Sequence, residues 1–210
     1  MIIYCTQRGE KSGSSVVYAL LEYAYRLKYG TDLPEIKKAI HGKPYFPDFP
    51  DVHFSLSHAA THVLCALSDN PVGCDIESPR EISTRALGYF STPEELALFE
   101  PLELWVLKES YVKLFGQTIA STRDLRCIRH GDGSCVIRQG DGSCVISQSD
   151  GSCDLSGQSG QHDVLLDSSP ILLEGQEDRP RVWSKLYHIG ECRAAVCSAA
   201  EDPPDSLEHV

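Results

Sequence analysis

Asp75 and Glu77 stand two residues apart at the end of an apolar run, and Glu109 lies between Lys108 and Lys113 in a segment of helical character. Residues two apart on a strand share a face. Carboxylates that share a face repel each other unless a cation or a proton lies between them. If the charged side of the later helix meets that strand end, three carboxylates converge. An oxygen-only set without histidine or cysteine suits Mg²⁺ and a phosphate substrate better than zinc. A plainer reading fits the same residues: an acid pair at a strand end, and a Glu109–Lys113 salt bridge at i, i+4 on a solvated face. Spacing leaves both open.

The elements that would position these groups are legible from periodicity and stop signals. Met1–Cys5 reads as a first strand. Ser14–Tyr29 reads as a helix, with Val17, Leu20, Leu21, Ala24 and Leu27 at helical spacing, Ser14 or Ser15 as cap and Gly30 as stop. His41–Asp51, dense in Gly, Pro and Asp, reads as irregular. Val52–Ser57 alternates as a strand and His62–Ser68 as its hairpin partner. Val72–Ile76 is a third strand, where Gly73 would allow a close backbone approach. Ser78–Phe99 is expected to be mostly helical with a break near Phe90–Thr92, where Thr92, Pro93 and Glu95 form a helix start of capping-box type. Leu102–Leu114 carries the stripe Leu104, Leu107, Tyr111 and Leu114 and ends at Gly116. Arg181–His188 and Cys192–Cys197 read as closing strands, and the acidic end after Ala200 as a frayed tail.

Between these lie tandem copies of a nine- to ten-residue unit, GDGSCVIRQ from Gly131, GDGSCVISQ from Gly140 and SDGSCDLSGQ from Ser149. They read as short strands joined by tight turns in a duplicated, mobile surface hairpin. A calcium-binding β-roll also repeats every nine residues, but it needs a further aspartate in each turn, which these copies lack. Bulk properties narrow the class. The 210 residues carry a net charge of −11, with 41% hydrophobic and 23% charged residues. That is an ordinary globular composition, and its charge argues against general nucleic-acid binding. No run reaches the ~20 apolar residues of a membrane span, and no export signal opens the chain. The 9 cysteines lack CxxC spacing, so reduced thiols and a cytoplasmic location are expected.

Three blocks then fall in order: GKPYFPDFPDVHFSLSHA at 42–59, VGCDIE at 72–77 and WVLKESYVK at 105–113. Together they resemble the paired signature and upstream block of the 4′-phosphopantetheinyl transferase superfamily, in its larger, surfactin-synthetase-activating class. The resemblance is strong over residues 42–116. It implies an α+β fold of two lobes related by a pseudo-twofold, each a small antiparallel sheet on a long helix. The lobes would cover 1–69, with a shortened N-terminal part, and 70–200, with the repeats inserted at 131–158 and an acidic tail at 201–210. It further implies an enzyme of holo-[acyl-carrier-protein] synthase type. Such an enzyme moves 4′-phosphopantetheine from coenzyme A to a serine of an acyl or peptidyl carrier protein, with Mg²⁺, releasing 3′,5′-ADP.

Residue by residue, the resemblance assigns Asp75, Glu77 and Glu109 to the metal and Glu109 also to the carrier serine's proton. It assigns Lys108 and Lys113 to coenzyme A phosphates, with Lys113 also at the transition state. Lys43 and Pro44 match adenine and phosphate contacts, Ser57 and His58 match residues beside the 3′-phosphate, and Glu94 matches a further acid near the site. Arg8 and Lys11 are the nearest basic candidates for an arginine that the family carries ahead of its first long helix. Ala59 replaces the family's second serine in SHS. A monomer is expected, with carrier docking mainly apolar, near Tyr89, Phe90, Leu96 and Phe99. The rival readings are a carrier- or coenzyme A-binding module of the same fold that is catalytically impaired, and a repeat-based adhesion or metal-binding protein.

Overall fold

The strands marked out by alternation pair mostly with neighbours in sequence, and the helices cover the faces those pairings leave apolar. The computed structural model describes residues 1–129, 135–139, 145–146, 153–154, 182–198 and 200–210. Along the chain, β1 (Ile2–Gln7), α1 (Gly13–Tyr29), β2 (Lys37–Lys38), β3 (Pro44–Tyr45), β4 (His53–His58), β5 (His62–Ser68) and β6 (Val72–Glu77) come first. Then follow α2 (Thr84–Phe90), α3 (Pro93–Leu98), α4 (Pro101–Phe115), a 3₁₀ turn at Ile119–Asp124 and β7 (Leu125–Arg129). The described part of the repeats contributes β8 (Cys135–Gln139), β9 (Val145–Ile146) and β10 (Cys153–Asp154), and β11 (Trp183–Ile189), β12 (Cys192–Ser198) and β13 (Glu208–His209) complete the chain. The expected turns of the repeats lie outside the described residues. Mixed helix and strand in this order make an α+β protein.

One sheet runs β13-β1-β5-β4 and another β6-β12-β11-β8-β7. Helix α1 lays Val17, Leu20, Leu21, Ala24 and Tyr25 against Tyr4, Phe54, Val63, Cys65 and Leu67 of the first sheet. Each such apolar side chain contributes about 1.5–3 kcal/mol on burial. The expected stripe needs one correction, because Leu27 is exposed and Tyr25, stacked near Tyr29 and Phe46, takes its place in the core. The helix also starts earlier than expected, with Ser12 in the extended cap position. A second apolar layer joins the sheets, with Ile3, Cys5, Leu64 and Ala66 meeting Val72, Cys74, Ile76 and Val196.

Helix α4 covers the other face of the second sheet with Leu104, Leu107, Tyr111 and Leu114, the four positions of the predicted stripe. Gly116 closes it in the left-handed conformation (φ 61°), as a C-terminal glycine can without a Cβ penalty. The Thr92–Glu95 capping box forms as its sequence indicates. By contrast, the stretch before Thr84 is not helical.

The C-terminal residues are not frayed. β13 adds to β1 in parallel register, Tyr4 opposite Glu208, and the amino terminus pairs with Glu201 at 2.9 Å. The acidic residues there have cationic and hydroxyl partners, which holds the segment against the sheet edge. Among the described residues, Cys5, Cys65, Cys74, Cys127, Cys135, Cys192 and Cys197 are buried.

Candidate functional site

β6 is buried on both faces, and its alternation serves two purposes. Val72, Cys74 and Ile76 point into the layer between the sheets. Gly73, Asp75 and Glu77 point at α4. A strand advances about 6.7 Å per two residues and a helix about 6 Å per four, so the two elements stay nearly in step. Each odd residue of β6 therefore meets a successive turn of α4. A Cβ on Gly73 would sit 2.1 Å from the Ser110 carbonyl and 2.4 Å from the Leu114 amide, so only glycine allows this approach. One step on, Asp75 meets Lys113 at 2.7 Å. One further step brings Glu77 to the Trp105 indole, which donates to it at 3.1 Å.

β4 completes the site from the first sheet. The outer edge of β6 would otherwise leave N–H groups unpaired in the interior, a costly state. Ser55 and Ser57 hydroxyls accept from the Cys74 and Ile76 amides at 2.9 and 3.3 Å. The Ser57 hydroxyl also accepts from Lys113 Nζ at 2.9 Å and donates to Asp75 Oδ1 at 2.8 Å. One donor and two acceptor positions exhaust a hydroxyl, so its proton is directed at Asp75.

Asp75 Oδ1 thus has two donors, while its Oδ2 is buried with no partner among the described residues. Glu109, one turn of α4 before Lys113, faces the same centre. Burial, and then the Asp75 and Glu77 charges, push its carboxyl up to about 7, against a smaller pull from Lys113. Lys113 goes the other way: burial draws it down, but Asp75, Cys74 and Glu109 together more than offset this and raise it above its ordinary value. An orphaned carboxylate oxygen and a carboxyl held up by burial and by its neighbours' negative charge are the signs of a place that lacks positive charge. The donor set is all oxygen, which suits a hard divalent cation. As placed, no three His, Cys, Asp or Glu side chains among the described residues are gathered as a ready metal cage. Glu77 is turned away, to Trp105 and to Arg80 at 3.3 Å.

The other expected site residues divide. Lys43 and Pro44 line a cavity of about 270 Å³ with His41, Phe54, Lys113 and Gln117, beside the cluster. The ring of exposed His58 covers Gly13 at the start of α1; a Cβ there would meet it at 2.7 Å. Arg8 reaches the neighbouring loop, donating to the Ala59 carbonyl at 3.4 Å, and to the Lys11 carbonyl at 2.8 Å. Lys11 itself is exposed.

A lysine of the later block and an acid ahead of it need correction. Lys108, expected on coenzyme A phosphates, is 1% exposed and lies within the core. It donates to the Phe90 and Leu125 carbonyls and pairs with Glu95 at 2.8 Å. Glu94, expected beside the site, is exposed at the first turn of α3, where backbone and Thr92 hydrogen bonds lower its carboxyl. Its neighbour Glu95 is the buried acid. Trp105 packs on Phe90 and donates its indole N–H to Glu77. The signal was available, since Trp105 is four residues before Glu109 and so on the same face.

Comparison with known proteins bears on this same stretch. Residues 71–156, which include β6 and α4, match the 4′-phosphopantetheinyl transferase superfamily. Over this stretch the chain is similar to that superfamily. It is similar to the 4′-phosphopantetheinyl transferase Sfp of Bacillus subtilis (strain 168), 36% identical over 108 residues that cover 46% of this chain and 48% of the relative. A second Bacillus subtilis 4′-phosphopantetheinyl transferase is 30% identical over 125 residues, covering 54% and 56%. The 4′-phosphopantetheinyl transferase gsp of Aneurinibacillus migulanus is 38% identical over 91 residues, covering 39% and 38%. The chain spans about half the length of the curated relatives it matches.

Proposed function

We propose that the protein transfers the 4′-phosphopantetheine group of coenzyme A to a serine of an acyl or peptidyl carrier protein, releasing 3′,5′-ADP. The observation that carries this reading is the Asp75–Ser57–Lys113 cluster with Glu109 beside it, inside the stretch that matches the superfamily. The β4 and β6 edges, bridged by Ser55 and Ser57, would be the junction of two lobes, with coenzyme A entering from the cavity at Lys43 and Pro44. Mg²⁺ would be held by Asp75 and Glu109, with Glu77 as third ligand after release from Arg80. The ion would neutralise charge on the pyrophosphate and on the departing 3′,5′-ADP.

The chain's own groups supply the rest. Lys113, held charged by Asp75, offers its ammonium to a pyrophosphate oxygen as negative charge develops there. Ser57 fixes the orientation of both partners. The Glu109 carboxylate takes the proton from the carrier serine hydroxyl as its oxygen attacks the β-phosphorus. A carboxyl near 7 is matched to that task at neutral pH. The proton ends on a Glu109 carboxylate oxygen and the leaving phosphate departs with the electron pair of the broken P–O bond. We further propose that the protein works in the cytoplasm as a monomer; no described helix is long and apolar enough to cross a membrane.

Mass spectrometry of apo-carriers incubated with the protein, coenzyme A and Mg²⁺ tests this directly. The expected result is one added phosphopantetheine mass on the carrier serine, absent with Glu109→Gln. No mass shift on any of several carriers would overturn the enzyme reading. Glu77, held by Arg80 and Trp105, favours one alternative, a coenzyme A- or carrier-binding module without turnover. That alternative predicts binding without any mass shift.

A further inference from the structure

The GKP loop reaches across to the junction of α4 and β6 through a single side chain. Lys43 Nζ donates to the Leu114 carbonyl at 2.8 Å and to the Val72 carbonyl at 3.3 Å. The first is in the last turn of α4 and the second at the first residue of β6. At that helix end the chain's own amides serve two other carbonyls: Gly116 N–H reaches Lys113 and Gln117 N–H reaches Val112, at 3.4 and 3.0 Å. The Leu114 carbonyl lies beyond them, and the Lys43 ammonium takes it. A cation there is also favoured by the helix dipole. The Lys43 stem runs alongside Gly116, whose added Cβ would lie 3.8 Å from Lys43 Cδ.

The loop that carries Lys43 is itself pinned. Ala39 N–H donates to the Lys43 carbonyl at 2.9 Å, Gly42 N–H to the Ala39 carbonyl at 2.8 Å, and Lys38 pairs with Pro44 between β2 and β3. A fixed backbone and two fixed acceptors make the side chain a tie between three segments. Burial draws its ammonium down to about 8, consistent with donors that face carbonyls rather than solvent.

We infer that Lys43 is a positioning residue that clamps the C-terminus of α4 onto the start of β6, and thereby sets the Lys113–Asp75 pair, rather than a ligand of phosphate. Both clamped atoms are close to the site in sequence: Leu114 follows Lys113, and Val72 precedes Asp75 by one and a half strand steps. Between them lies Gly73, where helix and strand backbones already touch. Loosening the clamp lets the helix end rotate off the strand at the point where alignment of Lys113 matters. For its catalytic consequence this inference rests on the proposed transfer reaction; for its structural consequence it does not.

The test compares Lys43→Met, Lys43→Gln and Lys43→Arg with wild type. In the ligand-free protein, amide hydrogen exchange over 112–117 and 72–75 should quicken about tenfold in Lys43→Met, less in Lys43→Gln, and be largely restored in Lys43→Arg, which keeps a charged donor. Unchanged exchange there, or an equal effect of all three substitutions, overturns the clamp. In the transfer assay Lys43→Met should lower kcat about tenfold with the KM for coenzyme A moving less than about threefold. A rise in KM alone, with exchange unaltered, would mark Lys43 as a phosphate ligand and refute the inference. If wild type shows no transfer at all, the enzyme reading falls while the exchange data still decide the clamp.

Discussion

Lys108 and Lys113 leave the same helix and each meets a carboxylate, at 2.8 and 2.7 Å. Their surroundings differ in every other respect. The Lys108–Glu95 pair is 1% and 3% exposed, and its valences are filled. Glu95 accepts from Lys108 and the Cys127 amide on one oxygen and from the Thr92 amide on the other, while Lys108 also serves two carbonyls. The Lys113–Asp75 pair has a lysine 31% exposed, an aspartate oxygen with no donor, and a second acid held close to neutrality. The first arrangement ties α2, α3, α4 and β7 together and offers nothing to a ligand. The second is incomplete in the sense a binding site must be. Full satisfaction of buried polar groups is what stability requires. Where one α4 pair meets that requirement and the other does not, the difference marks which pair faces a substrate.

The comparison breaks most visibly at the closed pair. Lys108→Met should leave Glu95 buried without its cation and cost about 3–5 kcal/mol of stability, read from urea denaturation. Lys108→Met with Glu95→Leu should recover much of that, because an apolar pair of similar volume removes both desolvation costs. At the open pair the expectation is reversed. Asp75→Asn should change stability by less than about 1 kcal/mol, since Lys113 keeps contact with solvent, yet lower transfer by about 10²–10³-fold. Comparable stability losses for Lys108→Met and Asp75→Asn would erase the distinction between the two. Gly73→Ala tests the floor beneath the open pair. Its Cβ collides with α4 backbone, which cannot rotate away as a side chain could, so a loss of about 2–3 kcal/mol and impaired transfer are expected together.

Local rules located most of this architecture. The stripe on α4, its glycine stop, the capping box at Thr92 and the two-residue period of β6 each depend on near neighbours in sequence, and each is present. Gly73 was readable as a close approach, though not as the contact with Ser110 and Leu114. Long-range pairings were not readable. Nothing local marks Lys108 for burial; it adjoins Leu107 and Tyr111, but its partner Glu95 comes from another helix and Leu125 from a strand. The same holds for Ser57, whose alternation places it on β4 while its role between Asp75 and Lys113 depends on two sheets meeting. The frayed-tail expectation failed because acidic composition was weighed without the partners, Met1 N and Lys185, that lie far away in sequence. Spacing alone left the acids at 75, 77 and 109 open between a cation site and a surface pair. The ordered blocks, rather than periodicity, pointed to phosphopantetheinyl transfer.

The smallest expected effect is also the one that most sharpens the contrast, because it reads the open pair's missing charge directly. In metal-free protein Glu109 is raised from its ordinary 4.5 to about 7. A carboxyl with a higher folded-state pKa holds its proton more tightly when folded. Its favourable contribution is therefore complete below about pH 4.5 and is lost as pH rises towards 7. Glu109→Gln, which stays neutral, should match wild type near pH 4.5 and exceed it at pH 8, by on the order of 1–2 kcal/mol after solvent screening. Denaturation curves across that range measure the gap. Millimolar Mg²⁺ at pH 8 should narrow it by stabilising wild type alone, since a cation between the acids offsets both the burial and the repulsion that raise Glu109. A gap that is the same at both pH values would mean that Glu109 feels neither its burial nor the Asp75 charge. One that opens with pH but ignores Mg²⁺ would retain the acid cluster and reject the cation. The closed pair supplies the control: Lys108→Met with Glu95→Leu should respond to Mg²⁺ as wild type does, because the open pair is untouched and no unpaired carboxylate is left at the closed one.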